Sequence, residues 1–114
     1  MIANTLILLI ALLHLYILVL QTALWTKPAG RKAFKLSPEF AEASKVLAAN
    51  QGLYNGFLAA GLIFGVMHDR TFAIFFLTCI FVAGVFGGIT ANKKILFIQS
   101  VPAALALAAV FAGI

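Results

Sequence analysis

The chain reads as an all-α integral membrane protein, a four-helix bundle within a single domain (1–114). Three observations lead there. Apolar residues make up 64% of the chain and charged residues only 10%, with a mean hydropathy of +1.12; a soluble domain of this size has too little interior to hide so much apolar surface. The apolar residues gather in four runs, at about 3–25, 46–67, 71–91 and 95–114, each close to the ~20 residues that a helix needs to cross a hydrocarbon core of about 30 Å. The charges are confined to the short segments between the runs. Runs this long and continuous do not suit barrel strands, and a helix satisfies its own backbone hydrogen bonds in lipid.

The first run has no basic residue before it, and Trp25-Thr26-Lys27-Pro28 is a poor small-residue cleavage site, so it reads as a retained span and not a signal peptide. Pro28 and Gly30 are expected to stop its helix. The segment from Lys27 to Lys45 holds Lys27, Arg31, Lys32, Lys35 and Lys45 with Glu39 and Glu42. Within it Ser37-Pro38-Glu39 has the order of an N-cap, a proline at the first helical position and an acid in the first turn. A helix therefore starts at Ser37, either as a short cytoplasmic helix or as an extension of the second span. His68-Asp69-Arg70 and Asn92-Lys93-Lys94 are tight turns flanking the third span. The fourth span carries Pro102 near its start.

Charge sets the expected orientation. Of the eight Lys and Arg residues, seven lie in the first and third loops and one, Arg70, in the second. Positive-inside bias puts loops one and three in the cytoplasm and both termini outside. The net charge of +5 is spread over short inter-span segments, which argues for basic membrane loops and against nucleic acid as a partner. Cys79 is the single cysteine, so neither an internal disulfide nor a cysteine-rich metal site is expected.

The polar residues inside the spans are unevenly distributed. At about 1.5 Å per residue, His14 falls near the midplane and Gln21 nearer the inner face. Asn50 and Gln51 lie one turn into the second span, Tyr54 and Asn55 two turns in, and Gln99 and Ser100 one turn into the fourth. All these groups are in the cytoplasmic half or border it. Polar groups facing lipid are costly, so the expectation is a crevice between helices, open to the cytoplasm and ending near His14. Gln21, Asn50, Gln51, Tyr54, Asn55 and Gln99 are the candidate ligand-binding residues. His14 and Tyr54 are the candidate proton donors if there is catalysis, since no serine or cysteine sits beside a base. Arg31 and Lys32 could hold an anionic headgroup or co-substrate over the mouth. The same amides would also serve as interhelical hydrogen bonds worth about 0.6–2 kcal/mol each, and His14 as a buried neutral imidazole bonded to Asn55 or Tyr54. A lone histidine without a nearby carboxylate makes no metal site. Gly52/Gly56, Gly61/Gly65, Gly84/Gly88 and the ladder Ala104/Ala108/Ala112 read as close-packing surfaces, within the chain or between copies in a homo-oligomer. Trp25 reads as an interfacial anchor.

His14 to Phe34 (HLYILVLQTALWTKPAGRKAF) and Leu36 to Leu62 (LSPEFAEASKVLAANQGLYNGFLAAGL) resemble the domain-of-unknown-function 1304 family of small bacterial integral membrane proteins. The resemblance implies a multi-pass protein of the bacterial inner membrane and supplies no activity. A weaker likeness, at the level of the fold, is to the MAPEG proteins, membrane enzymes of eicosanoid and glutathione metabolism with four spans and a basic first cytoplasmic loop. It rests on Asn50 with Tyr54 four residues later. The Arg-Ala pair that precedes that Asn in those enzymes is replaced by Val46-Leu47, and their following Glu by Leu53, so glutathione chemistry does not carry over.

The leading functional expectation is a MAPEG-like bundle that binds a lipophilic small molecule in the polar crevice, with membrane lipid around it. Whether it is an enzyme is open, and the residues name no cofactor. Two other classes stay in view. A small four-helix transporter has this length, but Glu39, Glu42 and Asp69 all lie in loops, so it would not be carboxylate-coupled. A non-catalytic accessory or assembly subunit would use the amides as ties and the glycines as interfaces.

Overall fold

The computed structural model describes every residue from Met1 to Ile114, all of them in helices and the turns between. The helices are α1 (Ile2–Thr22), α2 (Pro28–Phe34), α3 (Pro38–Met67), α4 (Arg70–Thr90) and α5 (Lys93–Ala112), the last with a π-helical turn at Leu96–Ser100. Three of them, α1, α4 and α5, are long and apolar enough to cross a membrane. The remaining expected span, 46–67, lies in α3. At 30 residues α3 is the longest helix, but Asn50, Gln51 and Asn55 leave it less apolar than the other three.

The helix starts follow the sequence signals. Ser37 Oγ accepts the amide of Phe40 at 3.1 Å, Pro38 opens α3 and Glu39 occupies its first turn. No break follows, so the segment is an extension of the helix and not a separate one. Asp69 accepts the amide of Thr71 to start α4, and Asn92 accepts that of Lys94 to start α5.

One expectation about the helices is corrected. Pro28 and Gly30 do not stop α1, which has already ended at Thr22. There the Thr22 hydroxyl donates to the carbonyl of Leu18 and the Leu24 amide reaches back to that of Val19, closing the last turn before the proline. Pro28 instead opens α2, where its fixed φ suits a first helical position. A Cβ on Gly30 would sit 2.0 Å from the carbonyl oxygen of Leu24, so only glycine lets α2 fold back on the end of α1. The alanines of α5 sort by face, and the ladder does not pack within the chain. Ala103, Ala106 and Ala109 are buried, while Ala104, Ala108 and Ala112 face outward. Spacing defines a ridge but not the side it faces, and the π turn shifts the register of everything after it. In that turn the Val101 amide bonds to Leu96, five residues back, directly before Pro102, which has no amide to donate.

By internal contacts the chain divides into two compact units, Met1–Ala11 with Ala60–Ile114, and Leu12–Ala59. The first is held by close approaches at glycine. A Cβ on Gly65 would lie 2.4 Å from the backbone nitrogen of Ala73, and one on Gly84 would lie 2.2 Å from Ser100 Oγ and 2.7 Å from Ser100 N. Ser100 Oγ donates to the carbonyl of Phe81 at 2.7 Å. Ile7, Leu62, Leu77 and Ile80 are fully buried there. The amide of Ile2 donates to the carbonyl of Ile114 at 2.8 Å, so α1 begins where α5 ends. In the second unit a Cβ on Gly52 would meet Thr22 Cγ2 at 2.8 Å and Gln21 Cβ at 3.0 Å, whereas Gly56 has its nearest neighbour at 3.5 Å.

These contacts separate the glycines by consequence. Gly65→Ala and Gly84→Ala push a methyl into backbone and are expected to destabilise by about 1–3 kcal/mol, whereas Gly56→Ala is expected to be nearly neutral. Reversible unfolding of the purified variants in mixed micelles measures the difference.

Candidate functional site

The second unit gathers most of the polar residues singled out by the sequence. Gly52 lets the backbone of α3 approach α1 along Leu18, Gln21 and Thr22. That approach brings Gln21 and Asn55 together: Asn55 Nδ2 donates to Gln21 Oε1 at 2.8 Å and to the carbonyl of Gln51 at 3.0 Å, in a half-buried setting. These two amides form an interhelical tie.

The other candidates divide by face. Asn50, Gln51 and Tyr54 lie on the outside of α3, with Tyr54 52% exposed and its ring 6.2 Å from that of Phe57. Asn50 Nδ2 donates to the carbonyl of Val46 at 2.9 Å, which leaves its oxygen and its second N–H outward. His14 is fully buried. Gln99 belongs to the first unit, in the π turn of α5. Arg31 and Lys32 part company on α2: Lys32 is exposed, while the Nε of Arg31 is buried without an acceptor.

A groove of about 330 Å³ opens in this unit, with Thr22, Trp25 and Thr26 on one wall and Lys45, Ala49 and Asn50 on the other. The turn after α1 is fixed here by Trp25. Its indole N–H donates to Ser44 Oγ at 3.0 Å, Ser44 in turn donates to the carbonyl of Phe40, and its ring lies 5.0 Å from that of Phe34 on α2. Lys45 is half-exposed and its ammonium is paired with Glu42, one turn earlier on the same helix. Of the candidates named from the sequence only Asn50 lines the groove. Thr22, Thr26 and Lys45 had no intramembrane signal, because they fall at span ends where polar residues are ordinary. Their adjacency depends on the turn after Thr22, which the sequence did not disclose.

The family model described as protein of unknown function (DUF1304) matches residues 8–111, nearly the whole chain. The chain belongs to that family. The Uncharacterized protein YpaA of Lactococcus lactis subsp. lactis (strain IL1403) is 34% identical over 109 residues, which cover 91% of this chain and 92% of that protein. No solved structure matches. The likeness to MAPEG proteins therefore stands on the sequence features alone.

The Gln21–Asn55 bond is testable by a double-mutant cycle. Gln21→Ala, Asn55→Ala and the double variant are expected to give a coupling of about 0.6–1.7 kcal/mol in unfolding free energy, with none between Gln21→Ala and Tyr54→Phe.

Proposed function

We propose that this DUF1304 chain crosses the membrane four times and binds a lipophilic small molecule, whose polar end is held by the loop-side half of α1 and α3. The observation that carries the reading is the groove lined by Asn50, on a helix whose next turn exposes Gln51 and Tyr54. Lipid tails offer no partner to an amide, so outward amides within a crossing helix favour a ligand with matching polar groups.

Parity supports the four crossings. Three helices have the composition of spans, and α1 begins beside the end of α5. Short turns make α3 antiparallel to α4, and α4 to α5. If α1, α4 and α5 cross, α1 ends on one face and α4 begins on the other, and α3 has to bridge them. The charge bias of the loops then favours loops one and three in the cytoplasm and both termini outside, in the inner membrane.

A role as an accessory subunit is the second reading, favoured by the Gln21–Asn55 bond, which is what a packing tie looks like. Native mass spectrometry of the protein extracted gently from its own membrane separates the two. On the proposed reading it carries a stoichiometric lipophile, reduced at least severalfold in Asn50→Ala and Tyr54→Phe, which still fold because both positions are exposed. An unliganded protein, unchanged by either substitution, would leave the accessory reading. Topology is tested independently: reporters active only outside the cytoplasm should be active when fused after Ile114 and silent when inserted at Lys35.

A further inference from the structure

The groove beside Asn50 also has a chemical preference, and this inference rests on the ligand-binding reading above. We infer that it receives a phosphate-type anion at the polar end of the ligand, bound by Lys45, Thr26 and Asn50.

The argument is an account of donors. Lys45 carries three N–H donors and gives one to Glu42. Asn50 carries two and gives one to Val46. Thr26 supplies a hydroxyl. Residues with donors to spare thus line both walls of one groove, a composition that suits an oxyanion with several lone pairs. The Lys45–Glu42 pair does not oppose this: it is an exposed pair with side chains 53% and 64% accessible, and such pairs are worth about 0–1 kcal/mol, so the ammonium can turn to a better acceptor at little cost.

The surroundings favour the same sign. The segment from Lys27 to Lys45 holds five cations and two acids, and Lys45–Glu42 is its one ion pair. Arg31, on the helix that folds back on the same turn, has its Nε buried without an acceptor. A cationic headgroup would meet this field unfavourably, and a neutral one would leave the charge-assisted donors unused. Depth agrees as well, since Trp25 on the groove wall is the kind of residue that sits at the level of lipid headgroups. Below Asn50, the exposed Leu53 and Phe57 continue down α3 as an apolar surface for a chain.

The phosphate could belong to a lipid or be free in solution, and the test separates these sources. The full-length protein is placed in nanodiscs of phosphatidylcholine alone, of phosphatidylcholine with phosphatidylglycerol, or of phosphatidylcholine with inorganic phosphate added. Native mass spectrometry then counts what stays bound after the bulk lipid is stripped. The expected result is retained phosphatidylglycerol, falling about tenfold in Lys45→Gln, as for the loss of a charge-assisted hydrogen bond, and severalfold in Thr26→Val. Lys45→Arg should restore most of it, and Lys93→Gln, at an exposed lysine outside the groove, should change it less than twofold. Retained inorganic phosphate with the same dependence on Lys45 would assign the site to a soluble phosphate. Equal loss in Lys93→Gln and Lys45→Gln would overturn the inference, since diffuse surface charge would then suffice. Retention of phosphatidylcholine that depends on Asn50 but not on Lys45 would also overturn it while leaving the ligand-binding reading intact. Nothing retained in any disc, by the wild type or by Lys45→Arg, would overturn the inference and leave the ligand-binding reading to be decided by the protein extracted from its own membrane.

Discussion

Helices surrounded by lipid gain little by hiding apolar side chains from one another, because the tails are as apolar as leucine. They hold together where backbones come close enough for dense contact and for hydrogen bonds, and in this chain glycine sets that distance. Gly65 against Ala73, Gly84 against Ser100, Gly52 against Gln21 and Gly30 against Leu24 are all approaches that a Cβ would obstruct. Much else follows from them. The α3–α4 hairpin closes at Gly65. Ser100 reaches the carbonyl of Phe81 because Gly84 makes room. Gln21 and Asn55 come within bonding distance because Gly52 brings the two backbones together.

The outline of these elements was legible because composition and capping act locally. Ser37-Pro38-Glu39 starts a helix wherever it occurs, and Asp69 and Asn92 terminate turns by bonding amides two residues on. What was not legible depended on non-local or cooperative geometry. The end of α1 at Thr22 is set by a hydroxyl and a wide last turn, not by the proline beyond it. Helix α2 exists because Gly30 can lie on the Leu24 carbonyl, a contact between neighbouring elements that no window of sequence reports. The π turn of α5 follows from the missing amide of Pro102, but which carbonyl takes up the change is decided by packing against α4.

The site was half legible for a related reason. Spacing of four residues pairs Asn50 with Tyr54 and Gln51 with Asn55, but says nothing of where each pair points. The glycines held that information. At about 100° per residue, Gly52, Gly56 and Ala59 share one side of α3, the side that turns inward. Asn55 borders that side and becomes a tie; Asn50, Tyr54 and Phe57 fall roughly opposite and face out. The amides thus divide between an interhelical tie and an outward face according to their angle from the glycine stripe. Lys45, Thr22 and Thr26 were beyond this logic, since they become neighbours only after the chain has turned at Trp25.

The unbroken course of α3 has a mechanical consequence. Thirty residues make a continuous rod of about 45 Å, half as long again as the roughly 30 Å hydrocarbon thickness of a bilayer. Ser44, Asn50 and Asn55 all ride on that rod, and Trp25 grips it at Ser44. A load applied to the basic segment before α3 is then delivered to the amides as a tilt or rotation of one stiff lever, with no break in the helix to absorb it.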